Sequence, residues 1–332
     1  MKKGKVLTNP LIRSVLRHPF LQKETDHLAS DGAVLGRGKE GETPVFGAAV
    51  NTTVYGGPHA EALAFYRSLN SALAAGIRPE SLLLSLTIPL PESEKVLNAR
   101  MERLEALAER ENLRISGGST SVSDSISRPV ITAVISGIFD LENGYGEETG
   151  KRANIDGFAL LMTGYAGDAG AGLVLEEKRG ILKTRFTEEF LSGAEIGEEA
   201  LSVRKAAEIL RREGAVMHDV SEGGVFSALY TFAEGHACGF TADLLKIPIR
   251  QETVEICGYF DWNPYEMLST GALLAAVPDG DRALQALKAQ GIPAARIGSL
   301  TEGKKKILLR GGEERFLERP HEDPVTRLQS YG

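Results

Sequence analysis

Met217-His218-Asp219-Val220-Ser221-Glu222-Gly223-Gly224 is the stretch of this 332-residue chain whose reading decides the fold. The short apolar run 214–217 leads into it as a strand, and an amphipathic helix is predicted directly behind it, over about 225–235. A strand that hands polar residues to two glycines and then opens a helix leaves the first helical N–H groups facing the turn, the geometry of an anion site. Gly223 and Gly224 let a ligand come close to the backbone, and Asp219 and Glu222 are carboxylates of the kind that hold Mg²⁺ against phosphates. His218, Asp219, Glu222, Gly223 and Gly224 are therefore candidate ligand-binding residues. The same residues also read as a helix start, with Ser221 or Asp219 as N-cap, Glu222 in a capping box and the glycines serving packing. Local physics leaves both readings open.

Working outward, strands are expected at 45–53, 81–90, 113–116 and 129–139, with helices at 59–75 and from Pro91 to about 112. The stretch 36–42 reads as an exposed loop. The glycine-rich polar stretch 140–154 is the expected boundary between two domains, 1–150 and 151–332. Beyond it come a strand at 157–162, a loop carrying Gly164, Gly167, Gly170 and Gly172, and a helix around 198–213. After the 218–224 segment and its helix follow a strand at 269–277, a helix at 281–290 and strands at 295–297 and 306–309. Strands alternating with helices in both halves predict an α/β protein of two domains. No sequence repeat relates the halves.

Two more glycine turns follow predicted strands. Residues 164–170, with Gly164, Gly167 and Gly170, form a second candidate phosphate cradle, although the spacing is neither the dinucleotide fingerprint nor a P-loop. Gly117-Gly118-Ser119-Thr120 is a third candidate, with a plain hairpin or crossover turn as the alternative. His27, His59 and His321 stand apart from one another in sequence. Cys238 sits in an apolar setting and reads as a small core residue, and no Gly-x-Ser-x-Gly elbow surrounds Ser221.

Composition bounds the partners. Hydrophobic residues are 42% and charged residues 25%, ordinary for a globular chain, and the net charge of −7 gives no basic field for nucleic acid or an anionic membrane. Two cysteines, Cys238 and Cys257, make neither a disulfide framework nor a zinc pair. No signal peptide and no membrane span are expected, and the expected compartment is the cytoplasm.

Together these segments resemble the aminoimidazole ribonucleotide synthase (PurM-like) superfamily, above all its hydrogenase maturation branch. In that branch a His-Asp-Pro-Thr-Glu-Gly-Gly segment stands where this chain has 218–224. The stretch 263–274, the Ile297-Gly298 pair and the glycine loop 164–170 also match family segments. The resemblance covers about 25–310. It implies an N-terminal sheet-and-helix domain that pairs with a second copy in a homodimer, a C-terminal α/β domain, a nucleotide cleft between the domains, and ATP held with Mg²⁺. It also implies that Asp31, in Ser30-Asp31-Gly32-Ala33-Val34, is a metal ligand alongside Asp219 and Glu222.

The chain departs from that pattern at three family acids, which fall on Thr53, Ser71 and Ser119. A hydroxyl coordinates Mg²⁺ without adding charge, so multi-metal binding loses its electrostatic basis. The branch's terminal cysteine, which carries the group being dehydrated, is also missing, since the chain ends Leu328-Gln329-Ser330-Tyr331-Gly332. Two functions are expected to compete. One is a nucleotide-using enzyme that phosphorylates an amide- or carboxylate-type oxygen; the other is a non-catalytic relative that keeps the fold as a binding or regulatory protein, with or without a nucleotide held in the absence of metal.

Overall fold

A computed structural model of the chain describes Ser14 and residues 31–36, 45–139 and 155–330. The expected loop beyond Gly36 and the expected boundary at 140–154 lie outside the described residues. The chain divides into two compact units, one of Asp31–Asp140 and one whose described body runs over 155–330.

The first unit runs β1 (Ala33–Gly36), β2 (Phe46–Thr53), α1 (Ala60–Ala74), β3 (Ile77–Pro89), α2 (Glu94–Arg110), β4 (Arg114–Ser123) and β5 (Val130–Phe139). Its sheet has the order β1-β2-β5-β3-β4, with β3 and β4 parallel and the other pairs antiparallel. A parallel pair cannot be closed by a hairpin, and α2 supplies the crossover. Strict alternation sets the two faces: Leu82, Leu84, Leu86, Ile131, Ala133 and Ile135 are buried, while Val50, Leu83 and Val122 are exposed. Every residue of α1 is buried, polar ones included. Those polar groups find partners, as burial requires. Ser68 Oγ donates to Ala133 O at 2.8 Å, and Glu61 is held by Arg100, which also grips Glu92 at 2.7 Å.

Two expectations are corrected in this unit. Helix α2 starts at Glu94 and not at Pro91, because the Ser93 hydroxyl accepts the Val96 N–H and fixes the N-cap there. Gly117, Gly118 and Ser119 are not a turn after a short strand. They lie inside β4, opposite Leu83, Leu84 and Ser85 of β3. The pairing skips a residue between Ile115 and Gly117, and the glycine that follows is a packing requirement: a Cβ on Gly118 would sit 1.9 Å from Leu84 O.

The second unit runs β6 (Ala159–Thr163), α3 (Asp168–Leu182), α4 (Glu188–Ser192), α5 (Arg204–Arg212), β7 (Val216–Val220), α6 (Gly224–His236), β8 (Gly239–Asp243), α7 (Gln251–Phe260), β9 (Ala272–Val277), α8 (Gly280–Ala289), β10 (Ala294–Thr301), β11 (Lys306–Arg310) and β12 (Glu313–Phe316). The sheet order is β12-β11-β8-β10-β6-β9-β7, with only β8 and β11 parallel among paired neighbours. Strands β6 and β9 are buried at every position, which explains their unbroken apolar runs. The core gathers Leu160, Met162, Phe226, Phe232, Phe240 and Ile297.

Here the expected glycine loop 164–172 proves too long, since Gly170 and Gly172 belong to α3. Both are forced by neighbours: a Cβ would lie 2.4 Å from Met267 Cγ at Gly170 and 2.2 Å from Ile196 Cγ1 at Gly172. The single helix expected at 198–213 is a 3₁₀ turn, Glu198–Leu201, and then α5. Ser202 is extended between them, and its hydroxyl accepts the Arg204 N–H. Among the described residues no helix is long and apolar enough to cross a membrane.

Candidate functional site

Strands β6 and β7 both pair antiparallel with β9, so they are parallel to each other and end on the side where β9 begins. Each then enters a helix through a left-handed glycine. Gly167 (φ 70°, ψ 3°) precedes α3, and Gly223 (φ 81°, ψ 3°) precedes α6. That conformation is cheap for glycine and costly for other residues. The two turns thus have the same backbone geometry, although nothing in their sequences repeats.

The segment ahead of β9 stitches them together. Ser269 donates its backbone N–H to Ser221 O at 3.2 Å, and its hydroxyl accepts the Gly167 N–H at 2.8 Å. Ser221 Oγ and Thr270 Oγ1 lie 3.4 Å apart. A Cβ on Gly164 would meet Gly271 O at 2.6 Å, and one on Gly224 would meet Tyr265 O at 2.6 Å, so the turns are pressed against this segment. The Gly223 N–H donates to Oδ2 of Asp323 at 2.8 Å, while Oδ1 of the same buried carboxylate accepts the Val325 N–H at 3.0 Å. A carboxylate at a helix N-terminus is the charge this position favours.

Of the predicted residues, Gly164, Gly167, Gly170, His218, Asp219, Glu222, Gly223 and Gly224 all belong to these two β–turn–α units. His218 and Asp219 are buried on β7. His218 Nε2 is 2.9 Å from Thr231 Oγ1 of α6, whose hydrogen goes to Ser227 O at 2.8 Å, so Nε2 is the donor of the pair. His218 also sits edge-on to Phe232, with centroids 6.2 Å apart. At the start of α3, Asp168 faces Arg250 Nε at 3.4 Å, and the guanidinium lies over the Tyr165 ring at 4.8 Å. Burial pushes the Asp168 carboxyl above its ordinary range. Arg250 pulls it down and Glu252 adds a further upward push.

Gly117, Gly118, Ser119 and Asp31 belong to the other unit. There Thr53 Oγ1 and Thr52 O both accept from Arg67 Nη1, at 3.2 and 3.1 Å, and Ser71 Oγ accepts from Asn51 Nδ2 at 3.2 Å. Mg²⁺ wants several hard, preferably anionic oxygens. At Thr53 the oxygens face a guanidinium, so the residues present do not fit Mg²⁺ at this position. Among the described residues no group of three or more His, Cys, Asp or Glu is placed to hold a metal.

Sequence reasoning missed Ser269, Arg250 and Asp323 as members of this arrangement. Ser269-Thr270-Gly271 ahead of an apolar strand was a usable signal, and so was an aspartate directly before Pro324. Arg250 carried none.

Residues 156–310 match the model of the AIR synthase related protein, C-terminal domain. The chain is 26% identical over 275 residues to a putative hydrogenase expression/formation protein of Methanocaldococcus jannaschii, covering 80% of this chain and 78% of that protein. It is 28% identical over 230 residues to the carbamoyl dehydratase HypE of Rhodobacter capsulatus, covering 67% of this chain and 64% of that one. In fold it is similar to HypE in a HypE–HypF complex (TM-score 0.74, 20% identity, 93% of this chain and 99% of that one). It is also similar to HypE in complex with ATP (TM-score 0.72, 19% identity, 98% of each chain).

Proposed function

We propose that this chain, whose residues 156–310 match the AIR synthase related protein C-terminal domain and whose fold is similar to that of HypE, is a PurM-like superfamily protein that binds a nucleotide or another phosphorylated small molecule at the paired glycine turns, with a degenerate metal site and without turnover. The observation that carries the reading is the pairing itself: two strand–glycine-turn–helix units of like geometry, at Gly167 and Gly223, held side by side by Ser269. The Gly167 and Gly223 N–H groups are themselves taken by Ser269 and Asp323, so the reading assigns the phosphate to the helix starts beyond them. The ATP complex of a protein with this fold supports the ligand class. The hydroxyls at Thr53, Ser71 and Ser119 support the loss of metal dependence.

The first unit's open sheet face supports a homodimer. Val50, Val134 and Leu83 stand side by side across β2, β5 and β3, and Val50 and Leu83 are exposed. Such a row is the natural seat for the same face of a second copy. The proposal places the protein in the cytoplasm.

The test is an ATP titration by calorimetry and thermal shift, with and without Mg²⁺, followed by an assay of phosphate release. Binding that ignores Mg²⁺ and yields no phosphate is expected. No binding in either condition rejects the nucleotide. Should binding prove Mg²⁺-dependent, metal-dependent binding left untouched in Asp219→Ala and Glu222→Ala moves the metal site elsewhere. A second reading, an active enzyme phosphorylating an amide- or carboxylate-type oxygen, is favoured by the two acids Asp219 and Glu222 beside the α6 turn; Mg²⁺-dependent phosphate release would establish it.

A further inference from the structure

We infer that the guanidinium of Arg67 is the resident cation at the C-terminal end of β2, and that this end of the strand takes no divalent ion. The oxygens there are of the kind hard cations use: the Thr52 carbonyl, the Thr53 hydroxyl, the Arg67 carbonyl and the Ser71 hydroxyl. Each already accepts a hydrogen bond from a side-chain N–H donor. Arg67 Nη1 serves Thr52 O at 3.1 Å and Thr53 Oγ1 at 3.2 Å. Asn51 Nδ2 serves Arg67 O at 3.2 Å and Ser71 Oγ at 3.2 Å.

The arrangement is rigid. Asn51, Thr52 and Thr53 lie on paired strand β2, and Arg67 and Ser71 lie on α1, which is buried throughout. Arg67 itself is 5% exposed and Thr53 is 1% exposed. A divalent ion bound to Thr53 Oγ1 and Thr52 O would have to displace the guanidinium from both oxygens and then sit beside its positive charge.

The inference deepens the metal-independent binding proposed above and rests on that reading only for its bearing on nucleotide; the position itself is testable with metal alone.

The probe is Mn²⁺ added to the full chain without nucleotide and followed by electron paramagnetic resonance. Wild type and Thr53→Val are expected to give the same isotherm, and Thr53→Asp combined with Arg67→Met to gain a Mn²⁺ site. Loss of a wild-type Mn²⁺ site in Thr53→Val overturns the inference, and so does a folded double variant that gains none. If the double variant does not fold, the Thr53→Val comparison decides alone: an unchanged isotherm supports the inference and a lost site rejects it. Failure of nucleotide binding would sink the proposed function and leave this result standing.

Discussion

The backbone N–H of Gly223 and the carboxylate of Asp323 meet at 2.8 Å across 100 residues of sequence, tying the glycine turn ahead of α6 to an acid from the last strap of the second unit. The carboxylate spends its other oxygen on the Val325 N–H, so one side chain fixes both the glycine turn and the segment that carries it. A buried hydrogen bond to a charged group contributes about 1.5–3 kcal/mol, and removing one partner also strands the other. Asp323→Ala is expected to lower unfolding stability by about 2–3 kcal/mol in urea titrations. Asp323→Asn, which keeps an acceptor, should cost less. Equal loss in the two variants would show that a neutral acceptor recovers nothing and that the charge on Asp323 carries the contact.

Gly118 gives a sharper steric case. With Leu84 O only 1.9 Å from its would-be Cβ, Gly118→Ala must push β4 away from β3. Overpacking of this kind costs about 1–3 kcal/mol. Ser119→Ala, one residue on at an exposed position, should be near neutral in the same melts. If Gly118→Ala were silent in stability and weakened ligand binding instead, the glycine would belong to a site and not to the sheet.

The parts of the fold legible in the sequence were those whose pattern reports a local environment. Small and β-branched residues marked β2, a Val- and Ile-rich run marked β5, apolar runs marked β6 and β9, and the glycine pair before Val225 marked the start of α6. Helix α3 was hidden because Gly170 and Gly172 read as loop, whereas their missing Cβ atoms make room for Met267 and Ile196. Tertiary packing there overrides helix propensity. Gly117-Gly118 misled in the same way, as glycines demanded by a neighbouring strand look like turn glycines. The two candidate turns were legible, but the groups that tie them down were not, since Ser269 and Asp323 act at separations of 102 and 100 residues.

Asp168 predicts a pH signature. Its carboxyl is raised in the folded state, chiefly by burial, with Arg250 opposing and Glu252 adding to the rise. A raised carboxyl stabilises the fold fully below its unfolded value, about 3.9, and that contribution is lost as pH rises through the folded value. Asp168→Asn should therefore raise the melting temperature at pH 7, and the gain should vanish near pH 3. Arg250→Met should act in the opposite direction at pH 7 by removing the opposing charge. A gain in Asp168→Asn that did not depend on pH would assign the effect to packing.

The open face of the first sheet makes an oligomer prediction. Val50 is 61% exposed and Leu83 40% exposed, and Val134 stands between them in register. If two copies meet on this face, Val50→Lys with Leu83→Lys should convert a dimer to a monomer by light scattering without lowering the melting temperature of the monomer. A wild-type chain that already runs as a monomer at high concentration would rule the interface out.

The thiols allow a last test of the second unit's core. Cys257 is buried on α7 with its sulfur 3.8 Å from Met267 Sδ, and burial, with Asp323 nearby, pushes its pKa up to about 12. Reactivity requires the thiolate, so at pH 8 this sulfur is doubly protected, by protonation and by enclosure. Cys238 is buried as well. A native chain at pH 8 should leave both thiols unmodified by a disulfide reagent over hours, and both should react at once in denaturant. Because Asp323 contributes to the rise at Cys257, Asp323→Ala should speed native modification of Cys257 more than that of Cys238, read by mass spectrometry of the labelled peptides. Equal acceleration of the two would mean that the variant loosens the whole core, and that the Asp323 strap has no local hold on the α7 side of the glycine turn.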